Sequence, residues 1–489
     1  MNTIPELLSE TVAKHKNRIA IVEEGKKVSY LELQSMVNSL SSYLTSLGVK
    51  PGDRVAILLP NSIEFIAGFF STVNIGAISV PINPSYGEEE IRFYISHSMA
   101  KLILTEERLS KTVDKLKGPE SKVVVVKGGE RGLFIFEEEK KNSLRVSINP
   151  HDEAIYLYST GSTGKPKRVS RTHLNIIALA NNHTETIGWS EEDRILLSIP
   201  MSHTYGFGNF ISAIKAGACI YTVEGFNRRK IFDLIERERI TVFPAVPFML
   251  EALANTPFPR PIDFSSLKFV ISAGAPLSKE TFERFFKRFQ IPPRQLYGST
   301  ETGVIAINLS KDIENRFSSV GQPVKNVEVK IFREDGSQAD IGEIGEIAVK
   351  SPSMTTGYHD LPEETQRSFR NGYYFTGDLG KIDEDGYIYI VGRKKLFINI
   401  SGNKVDPQEV ENVISRHPKV REVAVVGIRE RDEKEAVKAV IVPKEKLEAR
   451  EIYEFCRGKI SDFKIPRIIE FREKLPKSPT GKVLREKLR

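Results

Sequence analysis

A lysine on a glycine-containing turn, Lys482 in Pro476-Lys-Ser-Pro-Thr-Gly-Lys-Val-Leu-Arg485, lies far along the chain from a hydroxyl- and glycine-rich loop, Tyr158-Ser-Thr-Gly-Ser-Thr-Gly-Lys-Pro-Lys167. In that loop Gly161 and Gly164 let backbone N–H groups approach an anion. Ser159, Thr160, Ser162 and Thr163 add hydroxyl donors, and Lys165 and Lys167 add charge, a set suited to a polyphosphate. The spacing does not fit G-x-x-x-x-G-K-[ST]: Ser159 stands five before Gly164, and Pro166 follows Lys165. An ordinary phosphate-loop NTPase is therefore not the expectation. A polyphosphate loop paired with a distant lysine predicts a two-part active site working on ATP.

Four further groups carry polar chemistry. In Tyr297-Gly-Ser-Thr-Glu-Thr-Gly303 the ring of Tyr297 can stack on a base, Gly298 and Ser299 form the turn, and Thr300 can reach a phosphate. Glu301 can hold Mg²⁺, a hard ion that takes oxygen ligands and keeps waters. Asp378 can accept from ribose hydroxyls, and Arg393 can lie over the sugar or a phosphate. His203, in Pro200-Met-Ser-His-Thr-Tyr-Gly206, is read either as a base or pocket gate or as a histidine satisfied at a strand end. Singly, each is also an ordinary polar residue; their co-occurrence is what points to a nucleotide.

The elements that must position these groups alternate. Arg54-Val-Ala-Ile-Leu-Leu59 is a buried-strand pattern, Ser62 to Ile75 reads as a helix, and Ala77-Ile-Ser-Val80 as the next strand. The rhythm returns at 194–199, 218–223 and 268–272, with helical stretches at 229–239 and 278–289 between, which predicts layered α/β architecture. Ligands in such folds collect at the carboxyl ends of the strands. After about Gly321 short strands and Asp-Gly turns predict a β-rich subdomain over 321–392. The domains are therefore placed at 1–392, large and N-terminal, and 393–489, small and α+β.

The 489 residues exceed the ~250 to 300 at which single cores stop growing. The net charge of +7 is small against 71 basic and 64 acidic residues, interspersed and without a basic aromatic stripe, so nucleic acid is not an expected partner. Two cysteines, Cys219 and Cys456, support neither a disulfide framework nor a zinc site. The N-terminal residues lack a secretory pattern, and no run reaches the ~20 apolar residues of a membrane span. The expectation is a cytoplasmic protein, with a homo-oligomer admissible and no interface legible.

Together these segments, with Gly52-Asp-Arg-Val55, Gly274-Ala-Pro276, Ser319-Val-Gly-Gln-Pro323 and Asp383 to Gly402, resemble the adenylate-forming superfamily of acyl-CoA synthetases, peptide-synthetase adenylation domains and luciferases from Leu31 to Arg489. The resemblance implies that Ser159 to Lys167 is the phosphate loop, that Gly274, Ala275, Pro276 and Tyr297 to Thr300 contact adenine and the α-phosphate, and that Glu301 binds Mg²⁺. It implies that Asp378 holds the ribose, Arg393 sits near ribose and phosphate, and Lys395 is the hinge of a mobile small domain. Lys482 is implied to contact carboxylate and α-phosphate during adenylation. After rotation the segment Phe397 to Gly402, with Ser401 and Gly402, would serve thiol attack, and Lys404 would approach a CoA phosphate.

Two departures stand out: Arg168 replaces the glycine that usually follows Pro-Lys, opening either a changed loop shape or an extra phosphate contact, and Lys434 replaces a glycine before Glu435. Amino-acid-activating relatives carry an aspartate after the aromatic segment, and Ser202 to Phe210 contains no acid. The resemblance thus favours an uncharged acyl or aryl acid in a pocket lined by His203, Tyr205, Phe207, Gly208, Val246 and Gly274. It favours transfer to CoA, with a carrier-protein pantetheine or a non-catalytic AMP or acyl binder as alternatives.

Overall fold

The apolar run Ile63–Asn74 becomes a helix because Ser62 caps it, its hydroxyl accepting from the Phe65 N–H, and because eleven of its twelve residues are buried. A helix apolar all round must lie between layers. This one packs on strands of two different sheets, Arg54–Leu58 and Ile78–Ile82 on one side and Ile19–Glu23 on the other. Beside it runs helix Thr204–Ala216. Phe69 meets Phe207 at 5.1 Å and Phe210 at 5.5 Å between ring centroids, edge to face, the arrangement aromatic quadrupoles favour.

The computed structural model describes the chain except residues 129–145, 161–165, 258–261, 395–397, 401–402, 430–434, 458, 479–480 and 482, and describes only the backbone of 160, 399, 403, 404, 429 and 435. Thus Gly161 to Lys165, Lys395, Phe397, Ser401, Gly402, Lys434 and Lys482 lie outside the described residues, as do the side chains of Thr160 and Lys404.

Two sheets frame the large N-terminal domain. One has the order Lys122–Lys127, Leu102–Glu106, Arg54–Leu58, Ile78–Ile82, Glu153–Thr160, all parallel, closed by the antiparallel Pro166–Thr172. The other is nine-stranded, with six parallel strands from Pro293–Ser299 through Phe269–Ser272, Val242–Ala245, Arg194–Leu197 and Cys219–Thr222 to Ile19–Glu23, and antiparallel strands at both edges. Covered parallel strands account for the near-continuous Val/Ile/Leu runs. The β-rich part follows as an antiparallel five-stranded sheet built on Glu328–Phe332, Gly345–Lys350 and Tyr373–Ile382, paired onward to Ile388–Arg393. The small C-terminal domain holds a three-stranded sheet, Val420–Arg429, Glu435–Pro443 and Ile468–Phe471, with helices Pro407–Ile414 and Ala449–Cys456. Among the described residues no helix is long and apolar enough to cross a membrane.

The interior carries a measurable pH dependence. His183 is fully buried on helix His173–Ile187, with Nδ1 3.1 Å from Ser212 Oγ and its ring 4.6 Å from Trp189. Burial pushes its imidazole down to about 4, against roughly 6.5 in an unfolded chain. Between those values the unfolded chain takes up a proton that the folded one refuses, so stability is full above ~6.5 and falls as pH drops towards 4. At about 1.4 kcal/mol per unit, wild type is expected to lose roughly 2 kcal/mol more between pH 7 and pH 5 than His183→Asn. Denaturant midpoints at the two pH values measure this, and equal losses would refute it.

Candidate active site

The candidate side chains gather just past the carboxyl ends of the parallel strands. Gly274, Ala275 and Pro276 form an exposed loop after Phe269–Ser272, Val246 follows Val242–Ala245, His203 lies beyond Arg194–Leu197, and Asn83 follows Ile78–Ile82. Thr300 and Glu301 sit in the turn between the antiparallel strands Pro293–Ser299 and Gly303–Ile307. The phosphate-loop candidate joins the antiparallel strands Glu153–Thr160 and Pro166–Thr172, with Ser159 opposite Lys167. It is a hairpin connection, not the strand-to-helix turn of phosphate-loop NTPases.

Asp378 and Arg393 face each other in register on antiparallel strands. Arg393 Nε donates to Asp378 Oδ1 at 2.7 Å and the Tyr297 hydroxyl donates to Asp378 Oδ2 at 2.6 Å. Burial, then the Asp378 charge, pushes the Tyr297 phenol far above its ordinary range, so it stays a donor. The Asp378 charge likewise raises the Arg393 guanidinium. Each carboxylate oxygen keeps a second lone pair for a hydroxyl. The Tyr297 ring belongs to the core of the β-rich part, beside Ile305 and Ile347.

Glu301 is buried, and its Oε1 accepts from the Tyr358 hydroxyl at 2.9 Å, while Oε2 has no hydrogen-bond partner among the described residues. Thr355 N donates to the Glu301 carbonyl at 2.9 Å. The turn needs its glycine: Gly303 has φ +78°, and a Cβ there would stand 2.6 Å from Leu179 Cδ1. Ser299 Oγ lies 3.0 Å from Thr302 Oγ1 and accepts from Thr302 N, closing the turn that carries Thr300. Lys167 Nζ donates to Glu364 Oε2 at 2.6 Å and lies 4.7 Å from the centre of the Tyr358 ring.

Arg168, the next residue, points the other way, as strand alternation requires. Its buried guanidinium lies 4.3 Å over the Tyr156 ring, on the side of the half-buried Tyr158 and His97, so its side chain is spent on packing and is not aimed with Lys167.

On the acyl side, His203 Nε2 lies 3.5 Å from Asn83 Nδ2 and its ring meets Tyr86 edge-on at 6.2 Å. Burial pushes its imidazole down to about 4, so it is neutral at pH 7. The Tyr205 hydroxyl donates to the Ile271 carbonyl at 2.9 Å. A Cβ on Gly274 would stand 3.7 Å from Val246 Cγ1, so these two share a wall. Phe207 and Gly208, also expected in the lining, pack against the interior of the domain. Phe207 is fully buried among Phe69 and Phe210, and a Cβ on Gly208 would stand 3.6 Å from Leu179 Cδ2, because both residues lie on faces of helix Thr204–Ala216 turned inward.

The described residues of the tail segment pair on either side of position 482. Lys477 bridges Val483, Leu484 N donates to Pro476 O and Gly481 N to Ser478 O, both at 2.8 Å. Its base is pinned to the small domain by Arg485, which donates to Glu411 and, at 2.6 Å, to the Val425 carbonyl. Its tip meets the large domain: Gly481 has φ +79°, and a Cβ there would overlap the ring of Phe248, two residues past Val246.

A sequence model of the family described as AMP-binding enzyme matches residues 8–359, and one described as AMP-binding enzyme C-terminal domain matches 409–482. The chain belongs to the AMP-binding enzyme family. It is 31% identical over 468 residues to the long-chain-fatty-acid–CoA ligase FadD13 of Mycobacterium tuberculosis, covering 95% of this chain and 93% of that protein. ATP-bound MatB from Rhodopseudomonas palustris superposes with a TM-score of 0.90 at 28% identity, covering 99% of this chain and 98% of that one. O-succinylbenzoate coenzyme A synthetase (MenE) from Bacillus subtilis, in complex with ATP and magnesium ion, does so with 0.88 at 26%, covering 99% and 98%. The enzyme is an AMP-forming acid–thiol ligase of the acyl-CoA synthetase type.

Sequence reasoning missed several neighbours of the site in this AMP-binding enzyme. Tyr358, Glu364 and Asn83 stand in no local pattern that announces them; Tyr358 reaches Glu301 across 57 residues and Glu364 reaches Lys167 across 197. Arg171 gave one signal, a third basic residue within the seven-residue strand Pro166–Thr172.

Proposed function

We propose that this enzyme activates an uncharged carboxylic acid with ATP and passes the acyl group to the thiol of CoA. The contact of Gly481 with Phe248 carries the reading, since Gly481 directly precedes Lys482 and Phe248 stands two residues past Val246 in the chain. In the first step a carboxylate oxygen attacks the α-phosphorus, the bond to the β-phosphate oxygen breaks, and pyrophosphate leaves with the electron pair. Negative charge grows on the α-phosphoryl oxygens, and Lys482 answers it. In the second step the thiol gives its proton to solvent as its sulfur attacks the acyl carbon, the anhydride C–O bond breaks, and AMP leaves with the electron pair.

Lys167 and the hairpin loop from Ser159 to Lys165 hold the phosphates in this reading, Asp378 the ribose hydroxyls, and Arg393 the ribose–phosphate junction. Glu301 fits Mg²⁺: one oxygen is fixed by Tyr358 and the other is unbonded among the described residues, the oxygen donor a hard ion takes while it keeps waters and phosphates. Mg²⁺ supplies charge neutralisation on the phosphates when bound. Neutral His203 and the walls of Tyr205, Val246 and Gly274 offer an acid no counter-charge, which supports a medium- or long-chain fatty acid or an aryl acid, in keeping with the long-chain substrate in the name of FadD13.

ATP–pyrophosphate exchange across a panel of aliphatic, aryl, dicarboxylic and amino acids tests this. Exchange with apolar acids and thioester formation on adding CoA are expected. Exchange with amino or dicarboxylic acids alone overturns the pocket reading; exchange without CoA thioester points to a carrier pantetheine; no exchange across the panel points to a binder.

A further inference from the structure

Arg171 is the largest fully buried side chain among the described residues, and its Nε, Nη1 and Nη2 all lack a hydrogen-bond partner there. A buried charge without partners is costly and persists only where something repays it. Odd-numbered alternation on Pro166–Thr172 puts Arg171 on the same side as Lys167 and Val169, and Val169 bridges Tyr358. Its Nη1 abuts the turn after Glu301, where a Cβ on Gly303 would stand 3.4 Å away. Glu301 is the opposite charge that acts on its guanidinium, which burial pulls down to about 10.

The geometry points to Arg171 as a positioning residue for Glu301, its buried cation holding that carboxylate over the turn with one oxygen left free for the nucleotide's metal. The inference rests on the proposed role of Glu301. Without the guanidinium, the carboxylate is a lone negative group in a dry site beside Lys167, whose ammonium lies over the same Tyr358 ring that serves Glu301. Glu301 then turns to Lys167, draws it from Glu364, and loses the free oxygen. The cost falls on metal-bound nucleotide and spares nucleotide alone.

ATP binding, measured calorimetrically with magnesium and with EDTA, tests this on wild type, Arg171→Met, Arg171→Lys, Glu301→Gln and the Arg171→Met/Glu301→Gln double variant. Arg171→Met is expected to weaken ATP binding in magnesium about tenfold, the size of one charge-assisted interaction, and to leave binding in EDTA unchanged. Arg171→Lys recovers most of the loss, and Arg171→Met adds nothing in the Glu301→Gln background. An equal loss in EDTA, an equal loss in the Glu301→Gln background, or no loss overturns the inference while leaving Glu301 as metal ligand. A Glu301→Gln protein with wild-type magnesium dependence overturns the role of Glu301 itself. Should Arg171→Met not fold, Arg171→Lys in the two backgrounds decides, since a lysine effect that ignores Glu301 is also a refutation.

Discussion

Lys482→Ala is expected to lower acid-dependent ATP–pyrophosphate exchange by about 100- to 1,000-fold, the scale seen when one donor to developing negative charge is removed from a dry site. It is expected to leave CoA thioester formation from preformed acyl-AMP nearly unchanged, because the implied rotation of the small domain brings Phe397 to Gly402, and not Lys482, to thiol attack. The residues on either side of position 482 are secured independently of that side chain, by the Lys477–Val483 bridge and by Arg485 on Glu411 and Val425. The variant therefore removes an amine without unmaking its support. Gly481→Ala is the companion: its φ of +79° strains any side chain, and the new methyl meets Phe248, so the tip is displaced and exchange falls while thioester formation persists. Quenched-flow assays of the two half-reactions measure both; equal loss of both half-reactions in Lys482→Ala would remove the proposed division of labour.

The second large effect is expected at Asp378. Asp378→Ala is predicted to weaken ATP binding about 100-fold, from roughly 1.5–3 kcal/mol for each hydrogen bond to a charged acceptor. It is also predicted to abolish discrimination against 2′- and 3′-deoxy-ATP. The carboxylate is held from below by Tyr297 and from the facing strand by Arg393, so its remaining lone pairs have a defined direction. Selectivity tells the ribose role from a structural one, because a general loosening of the site weakens ATP and its deoxy analogues together. A variant that keeps wild-type preference for ATP over both deoxy analogues would place the ribose elsewhere.

Much of the architecture is legible in local pattern. The predicted strand at 54–59 is Arg54–Leu58, the helix at 62–75 is Ile63–Asn74, and the helix at 278–289 is Lys279–Phe289. The Asp-Gly turns of the β-rich part end in Gly336 and Gly386, both at positive φ. These features depend on periodicity and backbone sterics within a few residues, and a sequence carries that information directly. The placement of site motifs at strand ends follows from the same alternation.

What each side chain faces was not legible in the same way. Phe207 and Gly208 sit within a motif near the acyl side, yet the helix turns them into its packing faces, and only the position of the neighbouring sheets and helix decides which faces those are. Arg168 and Lys167 are adjacent, and the pleat sends one under Tyr156 and the other to Glu364. Residue types and order by themselves determined the chemistry on offer: hydroxyls and glycines for phosphates, one carboxylate for a hard ion, one for hydroxyls, and a late lysine. The tertiary structure alone decided that Tyr358, Arg171 and Glu364 surround that chemistry. Contacts between distant strands depend on how whole sheets pack, a long-range balance of burial and charge that no local spacing encodes.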